Sequence, residues 1–201
     1  MDGYLYGISK KRAIGKCLVR NEQSLPDTVQ DFPELMVGYK KLKLDMAAYD
    51  MDAYKPIVQK KVCEWYYGPT GMGKTWKAVK RLGFRLEMDK PFPEQVYNKD
   101  SSNFQWWENY DGQDCVLVDE IGLGATGKMM NYLKKWTDKL PCMVEIKGGQ
   151  TWLKATKFAF TSQHSMEEVF ERAVEKGEVT GEDIKALKRR IEEVYITRRL
   201  Y

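Results

Sequence analysis

A glycine-bounded loop and a pair of adjacent acids carry the chemistry open to this sequence. Gly68-Pro69-Thr70-Gly71-Met72-Gly73-Lys74-Thr75 fits the pattern G-x-x-x-x-G-K-[ST]. Glycines let backbone N–H groups close around phosphate oxygens, Lys74 can reach the terminal phosphates, and the Thr75 hydroxyl is a ligand for Mg²⁺. Further along, Cys115-Val116-Leu117-Val118-Asp119-Glu120 is an apolar run ending in two carboxylates. After a phosphate loop, Asp119 is expected to hold Mg²⁺ through water, and Glu120 to orient and activate an attacking water. A third run, Lys157-Phe158-Ala159-Phe160-Thr161-Ser162-Gln163, also ends in polar residues, and Gln163 can hydrogen-bond a terminal phosphate or its water.

Such groups meet only if strands deliver them to one edge. Val62 to Tyr67 is rich in β-branched and aromatic residues and predicts a strand; Trp76 to Leu82 predicts a helix ending near Gly83. A strand before the loop and a helix after it put the phosphate site at a helix N-terminus, where the partial positive charge favours anions. The runs ending at Glu120 and Gln163 are strands of the kind that bring acids to the C-terminal edge of a parallel sheet. The fold class expected is therefore α/β, a P-loop core with a parallel sheet.

The rest of the chain supplies connections. Lys90-Pro91-Phe92-Pro93 marks a loop and Gln95 to Asn98 a short strand. Trp106 and Trp107 can stack on bases, but core and turn packing is the expected role. Gly122, Gly124 and Gly127 lead into a helix over 129–136, which Pro141 ends. Met143 to Ile146 and Gln150 to Trp152 predict a hairpin about a Lys147-Gly148-Gly149 turn, where a lysine alone is ordinarily solvated. Helices are expected from Ser165 to about Glu175 and over 182–191, and Val194 to Thr197 as a last strand. At the other end, Asp31, Pro33 and Glu34 have the form of a helix start, and Leu35, Met36, Tyr39, Leu42, Met46 and Tyr49 give one apolar face over 32–50. Lys55-Pro56 breaks that pattern, so residues 1–54 are expected as a linker with a helical segment and 55–201 as the ATPase core.

Composition narrows the classes. A net charge of +4 permits a nucleic-acid partner without requiring one. A single histidine, His164, excludes paired-histidine metal sites. Cys17, Cys63, Cys115 and Cys142 contain no C-x-x-C pair and are expected as reduced small hydrophobes. No apolar run approaches ~18 residues, so no membrane span is expected. Ser9-Lys10-Lys11-Arg12 is either a nuclear import patch or, as expected of most charge runs, a solvated face.

The order of these motifs resembles the superfamily 3 helicase domain, in particular that of the replication initiator (Rep) proteins of circular single-stranded DNA viruses. The motifs are the phosphate loop, Trp106-Trp107 with Tyr110-Asp111-Gly112-Gln113, the acidic strand end, Val144-Glu145-Ile146-Lys147-Gly148-Gly149, Phe160-Thr161-Ser162-Gln163 and Leu187-Lys188-Arg189-Arg190-Ile191. The resemblance covers residues 55–200, and residues 20–50 are similar to the helical oligomerisation segment before such helicases. It implies an AAA+-like core, a Walker A motif at Gly68 to Thr75, a Walker B motif at Asp119 and Glu120, and a sensor at Gln163. It further implies a DNA-binding hairpin in a central channel at Lys147 and Gly148, and an arginine finger at Arg190 with Arg189 as the fallback. ATP and Mg²⁺ as cofactors, single-stranded DNA as partner, a homo-oligomeric ring (a hexamer) and action in a host nucleus are implied by the same likeness. Two positions depart from the family. The sensor is usually asparagine, one methylene shorter than Gln163, and the paired histidines and Y-x-x-K motif of the nicking nuclease are not found, so that activity is expected to be absent. The expected function is an ATP-dependent DNA helicase; the alternatives are a non-catalytic nucleotide-dependent scaffold and another P-loop enzyme such as a small nucleotide kinase.

Overall fold

The computed structural model describes residues 56–83 and 95–198, within which seven strands and four helices succeed one another. In chain order they are β1 (Val62–Tyr67), α1 (Lys74–Arg81), β2 (Val96–Lys99), β3 (Cys115–Ile121), α2 (Gly127–Thr137), β4 (Met143–Ile146), β5 (Gly149–Trp152), β6 (Lys157–Ser162), α3 (Met166–Glu175), α4 (Gly181–Lys188) and β7 (Glu192–Tyr195). The expected 32–50 helix and the Ser9–Arg12 run lie outside the described residues. The described residues other than 148–151 group into one compact unit.

Five strands form one parallel sheet in the order β2-β3-β6-β1-β7, and β4 with β5 forms a separate two-stranded ribbon. Alternation along the strands divides the core in two. Cys63, Trp65, Val116, Val118, Phe158 and Phe160 point to one face, where they pack with α2, α3 and α4 through Leu133, Trp136, Val169, Phe170 and Leu187. Tyr66, Leu117, Cys115 and Ala159 point to the other and meet Ala78, Val79 and Leu82 of α1. Both faces being covered explains the near-continuous apolar strands. The fold is a three-layer α/β arrangement with a five-stranded parallel sheet, and so belongs to the α/β class with a parallel sheet that the sequence predicts.

Charged groups inside this core are paired. Glu64 on β1 is buried on the α1 face and accepts from the Tyr66 hydroxyl at 2.6 Å and from Arg81 Nε at 2.9 Å, tying α1 to its neighbouring strand. Burial first, and that bond to Glu64 second, push the Tyr66 phenol well up. Lys61 is buried and donates to the Trp136 carbonyl at 2.7 Å, closing the C-terminal turn of α2; burial lowers its pKa.

Helix ends mostly agree with the local signals. Ser165 with Glu168 and Thr180 with Asp183 make reciprocal capping boxes at α3 and α4. The hydrogen bond from Lys134 is the largest of the influences holding the Asp183 carboxyl well below the usual carboxylate range. Helix α4 stops at Lys188, three residues short of the expected end. Trp107 is fully buried, stacked on Tyr97 and edge-on to Trp136, so it is core. Trp106 is half-buried and bridges to Glu145, anchoring β4 to the 103–107 loop. Cys63, Cys115 and Cys142 are buried free thiols, and burial pushes Cys63 up to about 12. No helix among the described residues is long and apolar enough to cross a membrane.

Candidate active site

Strand β1 ends at Tyr67, and the chain turns through the phosphate loop into α1 on one face of the sheet. Two glycines make that turn possible. Gly68 has φ 136° and lies so close to the segment after β7 that a Cβ there would meet the Ile196 carbonyl at 2.7 Å. Gly73 caps α1 in the left-handed conformation, φ 81° and ψ 24°. No side chain caps this N-terminus and no acid sits in its first turn, so its N–H groups stay available for an anion. Lys74 Nζ donates to the carbonyls of Gly68 and Pro69, each at 2.9 Å, which leaves one of its three protons for a phosphate oxygen.

The acidic pair sits where β3 leaves its register. Val118 pairs with Phe160 but Ile121 with Ser162, so β3 carries one extra residue at Asp119-Glu120. This is a β-bulge, and Glu120 adopts φ 56° within it. A left-handed glutamate is strained by ~1–2 kcal/mol. The bulge separates two jobs. Asp119 turns toward the loop and its Oδ1 accepts from the Thr75 hydroxyl at 2.9 Å. Glu120 is exposed and faces the cleft.

The bulge is fastened by β6. The Thr161 hydroxyl donates to Asp119 Oδ1 and accepts from the Glu120 N–H at 2.9 Å. The Ser162 hydroxyl donates to the Ile121 carbonyl at 2.6 Å and accepts from the His164 N–H at 3.0 Å. The sequence motifs assign neither hydroxyl a role. The available signal is a pair of hydroxyl residues ending an otherwise apolar strand.

A cleft of about 820 Å³ opens over this edge, lined among others by Gly71, Gly73, Lys74, Thr75, Glu120 and Gln163. The structure thus brings Lys74, Thr75, Glu120 and Gln163 to one cavity, with Thr70 also on its wall and Asp119 hydrogen-bonded to Thr75. Gly68, Pro69 and Met72 complete the loop without lining the cleft. Gln163 is exposed, and its side chain has no hydrogen bond among the described residues.

Three expected site residues, Arg190, Lys147 and Gly148, lie elsewhere. Arg190 is bound within its own chain, donating to the Lys134 carbonyl at 2.8 Å and pairing with Asp138 at 2.7 Å across the C-terminus of α2. Its neighbour Arg189 is exposed and has no such partner among the described residues. Lys147 stands at the turn between β4 and β5, is largely exposed, and pairs with Glu108 at 2.6 Å. Gly148, the next residue, takes φ 95° in that turn.

The donor set suits one kind of metal. Among the described residues no three His, Cys, Asp or Glu side chains cluster to form a cage. A hydroxyl and a carboxylate 2.9 Å apart beside a phosphate loop suit Mg²⁺, which takes few protein oxygens and completes its shell with phosphate and water. Thr75 and Asp119 would hold it.

No curated protein matches this chain. The sequence profile of the RNA helicase family matches residues 64–166, more than half of the chain and nearly the whole span from β1 through the phosphate loop and the β3 bulge to Gln163. With the parallel sheet and the loop geometry in agreement, the chain belongs to the RNA helicase family, its core being a helicase-type domain for nucleotide hydrolysis and nucleic-acid binding.

Proposed function

We propose that this domain is an ATP-dependent DNA helicase of the superfamily 3 Rep type, working as a homo-oligomeric ring, a hexamer, that moves along single-stranded DNA. The observation that carries the chemistry is the convergence of Lys74, Thr75, Glu120 and Gln163 on one cleft, with Asp119 anchored to Thr75. The loop amides and the α1 N-terminus bind the phosphates, and Lys74 turns its free proton to the terminal one. Thr75 and Asp119 would hold Mg²⁺, which would supply positive charge to neutralise the phosphates. Glu120 accepts a proton from the attacking water, and Gln163 orients that water against the terminal phosphate.

The arginine finger in this reading is Arg189. Arg190 holds α2 through Asp138 and the Lys134 carbonyl, so releasing it would break two bonds. Arg189 is exposed and free to reach a neighbouring subunit. Lys147 at the hairpin turn is the residue proposed to grip DNA, with Gly148 giving the turn its shape. The setting that goes with this function is replication of a small single-stranded genome in a host nucleus.

The test is nucleotide hydrolysis with and without single-stranded DNA and RNA, alongside strand displacement and sizing with and without ATP and Mg²⁺. DNA-stimulated turnover lost in Lys74→Ala, with ATP-dependent assembly, is the expected result. Stimulation by RNA alone would move the substrate assignment to RNA. Tight ATP binding with no turnover under any condition would favour a nucleotide-gated scaffold.

A further inference from the structure

Hydrolysis by these groups leaves two buried hydroxyls of the cleft wall without a task, Thr161 and Ser162, and only the first touches the acids. Thr161 is 1% exposed, on β6, two residues before Gln163. Its single proton goes to Asp119 Oδ1, and its lone pair takes the N–H of Glu120 at 2.9 Å. One side chain therefore contacts both members of the acidic pair, one by its carboxylate and the other by its peptide. The pair sits at the bulge, where the ladder between β3 and β6 is interrupted and the Glu120 peptide needs a substitute acceptor.

We propose that Thr161 is a positioning residue for nucleotide hydrolysis: it locks the β3 bulge so that Asp119 faces Thr75 while Glu120 projects into the cleft. The inference rests on the assignment of Asp119 and Glu120 to hydrolysis.

Three features support it. First, β6 lies between β1, which feeds the phosphate loop, and β3, which bears the acids, so among the strands it alone can brace one against the other. Second, Thr75 and Thr161 donate to the same oxygen, Asp119 Oδ1. Two donors on Oδ1 fix the carboxylate's rotation and leave its other oxygen for water. Third, Glu120 holds a left-handed conformation that a glutamate does not keep unaided, and its N–H bond to Thr161 is a constraint that can maintain it. Ser162, pointing to the opposite face, fastens the far side of the bulge through the Ile121 carbonyl. The bulge is thus held at both ends, but of the two hydroxyls only Thr161 reaches the acids.

The experiment compares Thr161→Val, which keeps the shape and removes both bonds, with Thr161→Ser, which keeps the hydroxyl. Turnover, KM for ATP and melting midpoint are measured for each, with kinetics run well below the lower midpoint and Lys74→Ala as reference. Expected is a fall in kcat of about 10- to 100-fold for Thr161→Val, part of the ~10²–10⁴ that a positioned general base supplies. KM should stay within about twofold, because the loop that binds the phosphates is untouched. Thr161→Ser should recover most of the turnover. A Thr161→Val kcat close to the native value would overturn the proposal, as would a serine variant no better than valine, or a loss confined to KM. Should Thr161→Val not fold, Thr161→Ala carries the same comparison with the same outcomes. Residual turnover in Lys74→Ala would instead refute the hydrolysis site itself, so the two failures are distinguishable.

Discussion

Glycine in place of Glu120 should stabilise this domain relative to alanine, the reverse of what a strand position normally gives. Glu120 has φ 56°, is exposed, and its side chain has no partner among the described residues. Glu120→Ala and Glu120→Gly therefore both delete the same side chain, and they differ in the left-handed backbone alone. Alanine keeps a penalty of ~1–2 kcal/mol there, and glycine does not. Against this, glycine enlarges the unfolded ensemble, which ordinarily costs ~0.5–1 kcal/mol relative to alanine. The balance favours Glu120→Gly by about 0.5–1 kcal/mol, or roughly 1–4 °C in melting midpoint for a domain of this size. The bond from the residue 120 N–H to Thr161 is common to both variants and cancels. The assay is a pair of thermal melts without nucleotide, supported by denaturant midpoints. Both variants should lose hydrolysis, since both lack the carboxylate. An alanine variant that melts above the glycine variant would mean that the bulge geometry is not a property of the folded domain in solution, and the separation of Asp119 from Glu120 would need another explanation.

Other perturbations give distinct signatures. Arg190→Ala should lower the melting midpoint, costing ~1–2 kcal/mol from its lost bonds to Asp138 and the Lys134 carbonyl, whereas Arg189→Ala should leave the midpoint unchanged and reduce turnover in the assembled protein. An unchanged midpoint for Arg190→Ala in differential scanning fluorimetry would contradict its anchoring role. Glu108→Gln frees Lys147 from an exposed pair worth ~0.2–1 kcal/mol, so affinity for single-stranded DNA in a fluorescence-anisotropy titration should rise by at most about fivefold, and less at high salt. Weaker binding would refute the hairpin as the gripping element. Lys99 is buried, donates to the Asp100 and Asn103 carbonyls, and burial lowers it to about 8. The folded state then releases its proton before the unfolded state does, so Lys99 adds stability as pH climbs from about 8 toward its ordinary value near 10.5. Measured from urea midpoints at about pH 8 and pH 10, the native protein should therefore gain stability relative to Lys99→Met as pH rises. A constant difference would show that Lys99 is not depressed.

Local chemistry explains what was legible from the chain alone. The strand, glycine loop and helix of 62–81 are contiguous, so their meaning does not depend on distant residues: glycine permits the turn, and the helix N-terminus after it supplies the donors. The apolar runs ending at Asp119 and Gln163 could likewise be assigned to buried parallel strands, because both faces of such a sheet are covered and the acids can emerge only at its edge. The start of α3 at Ser165 was legible for the same reason, its capping bond spanning three residues, whereas the Thr180 cap of α4 emerged only in the structure.

What remained for the tertiary structure were contacts between residues 41 to 56 positions apart: Thr75 to Asp119, Thr161 to Asp119 and Glu120, and Arg190 to Lys134. A period-2 pattern reports which face a side chain takes, but it is unchanged when a strand slides by two residues. It therefore cannot place the bulge between Val118 and Ile121, nor say that Thr161 falls opposite it. Arg190 shows the same limit. Its position before Ile191 could be matched to a motif, but the carboxylate that holds it belongs to the end of another helix, and only packing brings that helix end within reach. Sequence determined which groups this protein has for phosphate chemistry and the edge on which they gather; strand order and register decided which hydroxyl aims them.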